Sequence, residues 1–215
     1  MHPRDRAAQA AVAHVEDGMI VGLGSGDTAA RAIRLLGGRR IVGVATSDKS
    51  AALARSLGIT VRAPDEVEAI DLTIDGADEI DPALRLIKGG GGAHTREKLV
   101  ARASRELVIV ADADKRVARL GERMPLPVEI LPFAQRWTLA RLAALGLPPV
   151  VREGFVTDNG NVIADCALGP VEDLAALAAA LKALPGVVEH GLFLDEATLA
   201  YVGRADGVDR LTRPH

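Results

Sequence analysis

The sequence predicts an α/β protein with a doubly wound, mostly parallel sheet, and a second, smaller α+β domain inserted near the C-terminus. Three observations give this reading. Short apolar, β-branched runs alternate with helical stripes as far as residue 111, the rhythm of parallel strands joined by right-handed helical crossovers. The first run leads through a glycine-rich loop straight into a helix. From Pro125-Leu-Pro-Val-Glu-Ile-Leu-Pro132 the texture changes, and Asn159-Gly160 between two apolar runs is the strongest short hairpin signal in the chain.

Taken in order, residues 4 to 16 put Ala7, Ala8, Ala11, Val12 and Val15 on one helical stripe that Asp17-Gly18 ends. Residues 19 to 23 form a short buried strand, Gly24-Ser-Gly-Asp-Thr28 a loop, and residues 29 to 36 a helix stopped by Gly37-Gly38. Further strands fall at 40 to 45, 59 to 62, 70 to 74 and 106 to 111. Helices lie between 46 and 57 and, with Thr95 as N-cap, over 96 to 104. The later part predicts a strand, a helix over 134 to 145, strands at 150 to 152, 155 to 157 and 162 to 166, a helix over 171 to 184 and a strand at 187 to 189. That order is a split βαβ, ferredoxin-like unit, after which the chain returns through residues 198 to 203. The expected division is a catalytic domain of residues 1–126 plus 197–215 and a small domain of 127–196 that walls the cleft and mediates oligomerisation.

Composition narrows the function. The chain has 215 residues, 48% hydrophobic and 26% charged, enough for a sizeable core. A net charge of −3 argues against a nucleic-acid surface. The single cysteine, Cys166, sits in an apolar run and reads as a core residue of a cytoplasmic protein. The N-terminus lacks the apolar stretch of a signal peptide, and no run suits a membrane span. The Leu/Ala-rich helix at 173 to 184 has no basic row on its polar face, so it reads as a core helix. Five scattered histidines give no metal-ligand spacing, and Asp75, Asp78, Glu79 and Asp81 miss the calcium-loop pattern, so no metal is expected.

The chemistry concentrates in Asp75-Gly-Ala-Asp-Glu-Ile-Asp-Pro-Ala-Leu-Arg-Leu-Ile-Lys-Gly-Gly-Gly-Gly-Ala-His-Thr-Arg-Glu-Lys98. Its first acid ends a strand, at the edge of an α/β sheet where ligands bind. Four consecutive glycines suit neither a helix interior nor a strand centre, and offer backbone amides at close range. Glu97 falls in the first turn of the next helix, where the dipole also favours an ordinary surface acid. Upstream, Ser25 and Thr28 with the loop amides make an anion site at a helix N-terminus. The Rossmann-like dinucleotide fingerprint would need a third glycine at position 27, where Asp27 stands, so a small phosphate fits better. Asp27 would repel that phosphate and is expected to turn outward or cap the helix. Ser47 and Ser50 could reach the site or simply cap their helix. Of only five lysines against 21 arginines, Lys88 and Lys115 follow strand-end acids, although Lys115 also suits a surface.

Together these segments resemble ribose-5-phosphate isomerases of the A type. The resemblance rests on Gly22-Leu-Gly-Ser-Gly-Asp-Thr-Ala29, Asp75-Gly-Ala-Asp78, Lys88-Gly-Gly-Gly91 and Arg96-Glu-Lys98, and runs in order from about residue 7 to 210. It implies cofactor-free interconversion of D-ribose 5-phosphate and D-ribulose 5-phosphate through an enediolate, in the non-oxidative pentose phosphate pathway, by a homodimer or a dimer of dimers. By the same resemblance Glu97 is the proton acceptor, and Asp75 and Asp78 contact sugar hydroxyls, Asp75 also assisting ring opening or proton movement between oxygens. Lys88 steadies the enediolate, and the amides of Gly89, Gly90 and Gly91 line the pocket. Ser25, Gly26, Asp27 and Thr28 match the substrate loop, Gly76 and Ala77 belong to the Asp75 segment, and Lys115 lies near the phosphate. Asp27 departs from the neutral residue commonest in that loop. Sugar-phosphate sensor domains, amino-sugar phosphate deaminases and coenzyme A transferases share the scaffold. A sensor could dispense with Glu97 and would need room for a DNA-binding module, and a transferase would need its glutamate in another setting.

Overall fold

The computed structural model describes residues 1–214. It begins with α1 (Pro3–Val12), β1 (Ile20–Leu23), α2 (Gly26–Leu36), β2 (Val42–Ala45), α3 (Asp48–Ser56), β3 (Thr60–Val61) and β4 (Leu72–Asp75). Then come β5 (Glu79–Ile80), β6 (Leu86–Ile87), α4 (His94–Arg102), β7 (Leu107–Asp112), β8 (Leu126–Ile130), α5 (Gln135–Ala144) and β9 (Pro149–Val151). The chain closes with β10 (Val162–Cys166), α6 (Leu174–Ala183), β11 (Val187–His190), β12 (Leu192–Phe193), β13 (Leu199–Gly203) and β14 (Val208–Thr212). Two compact units result: Met1–Ala77, Arg96–Lys115 and the residues from Asp195 onward make one, and Asp78–Thr95 with Arg116–Leu194 the other. Among the described residues no helix is long and apolar enough to cross a membrane.

The first unit holds a seven-stranded sheet in the order β14-β13-β7-β4-β1-β2-β3. All its pairs are parallel except β13 with β14. From β1 the chain winds outward through β2 and β3, and then returns to lay β4 on the other side of β1. The switch point of the sheet is therefore between β1 and β4. The inner strand β7 buries Leu107, Val108, Ile109, Val110 and Ala111, because a parallel strand with both faces covered is apolar throughout rather than alternating. Ala7, Ala8, Ala11, Val12 and Val15 all enter the core of this unit. The helix itself stops at Val12, and the chain reaches Val15 through tighter turns, His14 N to Ala11 O and Val15 N to Val12 O.

The second unit carries a four-stranded antiparallel sheet in the order β11-β8-β10-β9, with α5 and α6 in the connections. This is the small α+β layer expected from the sequence. It also holds a three-stranded sheet, β12-β6-β5, that sequence analysis did not foresee. Its strands are two residues long, too short for any periodicity to be visible.

Several local expectations need correction. α4 begins at His94, so Thr95 lies inside the first turn and does not cap the helix. α2 begins at Gly26, three residues before the expected start, and α6 begins at Leu174 with Asp173 as N-cap, its carboxylate accepting from the amide of Ala176 at 2.8 Å. Residues 155 to 157 form no strand. Asn159-Gly160 does turn the chain, with Gly160 at φ 78° and its amide donating to Thr157 O. It is not a two-residue hairpin, because β9 and β10 pair from Val151 and Ala164 outward, leaving residues 152 to 161 as the connection. The edge strand β14 was also unforeseen; its alternating half-exposed residues give little apolar signal.

Cys166 is fully buried in the core of the second unit. Burial, helped by the neighbouring Asp165 charge, pushes its thiol up to about 12, so it stays protonated and inert. The folded protein should give no reaction with a thiol-selective chromogenic reagent at pH 8, and one equivalent after denaturation.

Candidate active site

In the first unit the geometry is set at the switch point. Gly24 leaves β1 with its amide on Ile74 O at 2.9 Å, pressed so closely on β4 that a Cβ at position 24 would lie 2.5 Å from the Asp75 Cα. That approach lets Asp75, at the end of β4 and 1% exposed, accept two backbone amides on Oδ1: Ser25 at 3.0 Å and its own neighbour Gly76 at 2.7 Å. The Ser25 hydroxyl does not cap α2, although Ser25 occupies the N-cap position. It donates instead to Oε1 of Glu97, which is buried in the first turns of α4. The loop, Asp75 and Glu97 thus form one hydrogen-bonded group.

The rest of the loop is arranged around charge. Gly26 and Asp27 are exposed and Thr28 is half-buried on the first turn of α2. The Asp27 carboxylate turns outward, accepting from Arg4 at 3.0 Å and pairing with Arg31 at 3.5 Å. These guanidiniums, Arg4 first, hold its carboxyl below the usual carboxylate range. Arg4 also grips Asp112 at the end of β7 at 2.5 Å. Lys115 follows in a 3₁₀ turn, half-buried. Ser47 caps α3 by accepting from the Ser50 amide, and the Ser50 hydroxyl donates to Gly24 O at 2.6 Å. Both serines therefore shape the loop from behind.

In the second unit, Asp78 and the glycines are mutually fastened. The Asp78 amide donates to Ile87 O, and its carboxylate accepts the Gly90 amide at 2.6 Å. Lys88 is buried, its ammonium 5.5 Å from the centre of the Phe193 ring, and its amide donates to Gly191 O. Three of the four glycines are required by space. A Cβ would fall 2.6 Å from His94 Nδ1 at Gly89, 2.7 Å from Asp78 Oδ1 at Gly90 and 2.3 Å from the Phe155 ring at Gly92. Gly91 alone meets open space and is exposed.

Two residues, Arg152 and Glu129, escaped sequence analysis. Arg152 is held by a bidentate pair with Asp165, both bonds 2.6 Å, lies over the Phe155 ring, and donates to Gly90 O at 3.0 Å. Glu79 is buried and accepts the amides of Gly121, Arg123 and Met124. Glu129 is buried in the middle of β8. A charged residue inside an otherwise apolar strand was the available signal for Glu129; nothing local marks Arg152. Asp81 binds Arg85 across the β5–β6 turn, and with Glu79 on backbone amides these two acids serve structure. Among the described residues no cluster of three His, Cys, Asp or Glu side chains is placed to hold a metal ion.

The spacing of the glycines yields a direct check. Gly89→Ala combines a φ of 108° with a contact against His94, and should cost roughly 1–3 kcal/mol. Gly91→Ala should stay within about 0.5 kcal/mol of the wild type. Denaturant melts of the two variants separate these expectations.

Comparison with known proteins gives the family. A family model described as ribose 5-phosphate isomerase A (phosphoriboisomerase A) matches residues 42–207. The chain is 53% identical over 221 residues to the ribose-5-phosphate isomerase A of Thermomicrobium roseum, covering 98% of this chain and 93% of the relative. Among solved structures, ribose 5-phosphate isomerase A from Methanocaldococcus jannaschii superposes with a TM-score of 0.93 at 39% identity, covering 97% of each chain. A D-ribose-5-phosphate isomerase in complex with phospho-erythronic acid gives a TM-score of 0.94 at 37% identity, covering 98% of this chain and 97% of that one. The chain is therefore an isomerase and belongs to the ribose 5-phosphate isomerase A family.

Proposed function

We propose that the protein interconverts D-ribose 5-phosphate and D-ribulose 5-phosphate through an enediolate, with Glu97 carrying the proton between C2 and C1 and without a cofactor. The observation that carries this reading is the buried Glu97 carboxylate held by the hydroxyl of Ser25 in the glycine-rich loop. Phosphate on the loop amides at the N-terminus of α2 would set the distance from C5 to the base, and Ser25 belongs to both. A relative solved as a D-ribose-5-phosphate isomerase in complex with phospho-erythronic acid, a phosphorylated sugar acid, supports a sugar phosphate here.

In the forward direction Asp75 assists opening of the furanose by moving a proton between ring oxygen and O1. Glu97 then removes the proton from C2, and the electron pair moves through C1 onto O1. By the family resemblance, the developing negative charge is stabilised by the Lys88 ammonium and by amides of the glycine run Gly89, Gly90 and Gly91, of which the Gly90 amide is held by the Asp78 carboxylate and would have to turn from it. A proton passes from O2 to O1 with Asp75 and Asp78 as hydrogen-bond partners of the hydroxyls, and protonated Glu97 returns its proton to C1. Ser25, Gly26, Asp27 and Thr28 with Lys115 receive the phosphate end, and Gly76 and Ala77 line the sugar. With Asp27 neutralised by Arg4 and Arg31, the loop amides can accept an anion despite the acid in their midst. The same family resemblance supports a place in the non-oxidative pentose phosphate pathway, a cytoplasmic location, and a homodimer or dimer of dimers in which residues 127–196 take part.

The test is a coupled assay of ribose 5-phosphate conversion in the presence of EDTA. Wild type should turn over unaffected by the chelator. Glu97→Gln should lose on the order of 10²–10⁴ in kcat while its KM stays within a few-fold. Full activity in Glu97→Gln overturns the assignment of the base, and absence of turnover in the wild type, with ribose 5-phosphate still raising the melting temperature, points instead to a sugar-phosphate sensor.

A further inference from the structure

We propose that Glu129, acting through Thr95, is a positioning residue for the helix turn that carries Glu97. The inference rests on the reading of Glu97 as the base. Glu129 lies in the middle of β8 with no exposed surface. Its two oxygens divide their work. Oε2 accepts the hydroxyl of Thr95, in the first turn of α4. Oε1 accepts Thr157 Oγ1 at 2.9 Å, Asn161 Nδ2 at 2.7 Å and Asn159 Nδ2 at 3.1 Å, all from the turn before β10. Burial alone would push this carboxyl up, yet the four hydrogen bonds outweigh it and hold the group below its usual value. It is therefore a charged acceptor, whose hydrogen bonds are shorter and stronger than neutral ones.

A stability role alone would be met more simply by an apolar side chain in a strand whose other residues are buried and apolar. What the carboxylate adds is a fixed acceptor that selects one rotamer of Thr95 and one placement of the turn around it. Glu97 is two residues further along the same turn. Within a helix the backbone between them is rigid, so a shift at Thr95 is passed to Glu97, and a displacement of a reacting group by about 1 Å can cost on the order of 100-fold in rate.

Three variants separate positioning from folding. Thr95→Val keeps the volume and removes the hydroxyl; Thr95→Ser keeps the hydroxyl; Thr157→Val removes a donor from the same carboxylate on the side away from α4. Positioning predicts that kcat for ribose 5-phosphate falls about 10- to 100-fold in Thr95→Val with KM within threefold, recovers to within threefold in Thr95→Ser, and stays within threefold of wild type in Thr157→Val. Equal kcat in Thr95→Val and Thr157→Val, with only their melting temperatures lowered, overturns the proposal. Should Thr95→Val be unfolded at the assay temperature, Glu129→Asp reads the same step by withdrawing the charge one methylene from Thr95: kcat must fall with KM held, and an unchanged kcat overturns the proposal. The Glu97→Gln control keeps the two readings apart. If wild type is active and Glu97→Gln is not, an unaffected Thr95→Val removes only the role of Glu129; if Glu97→Gln remains active, the underlying reading has failed.

Discussion

The carboxylate of Asp75 closes the switch point of the parallel sheet, and the surrounding loop depends on it. A buried carboxylate must be met by donors, and here Oδ1 is met by two backbone amides, those of Ser25 and Gly76. Hydrogen bonds to a charged group contribute about 1.5–3 kcal/mol each, enough to fix where the loop leaves β1. The approach is possible only because position 24 has no side chain. Once the Ser25 amide is tied to Asp75, its hydroxyl is free of the capping role and turns to Glu97. One strand-end acid thereby places the loop amides, the serine and the partner of the base.

Charge in the first unit is handled by matching. Asp27 sits in a loop that would otherwise welcome an anion, and Arg4 and Arg31 draw it outward into a chain of pairs that also includes Asp5 and Asp112. The exposed pair among them, Arg4 with Asp27, adds little to stability, about 0–1 kcal/mol. The effect of the pairs is on the local field, which they keep from turning negative at the N-terminus of α2.

Much of the fold was legible because its signals are local. The alanine and valine stripe of α1, the apolar run of β7 and the glycine loop before α2 each announce their element within a few residues. The site was legible where several chemical residues fall in one short segment, as in Asp75-Gly-Ala-Asp78 and Lys88-Gly-Gly-Gly91. What stayed hidden depends on pairings made only after folding. Arg152 reaches Gly90, 62 positions away, and Glu129 gathers Thr95 and the 157 to 161 turn. The two-residue strands β5, β6 and β12 exist only through their mutual pairing. The glycine run was read as a source of amides, yet at Gly89, Gly90 and Gly92 the stricter demand is space for His94, Asp78 and Phe155.

The central claim is that one carboxylate, Glu97, moves the proton between the two carbons. The most direct measurement follows ribose 5-phosphate by proton NMR in D2O with the wild-type protein and with Glu97→Gln. The account predicts deuterium entering at C2 of the aldose and C1 of the ketose with wild type, and no entry above background with the variant. Exchange that persists undiminished in Glu97→Gln would contradict it, because another group would then be moving the proton.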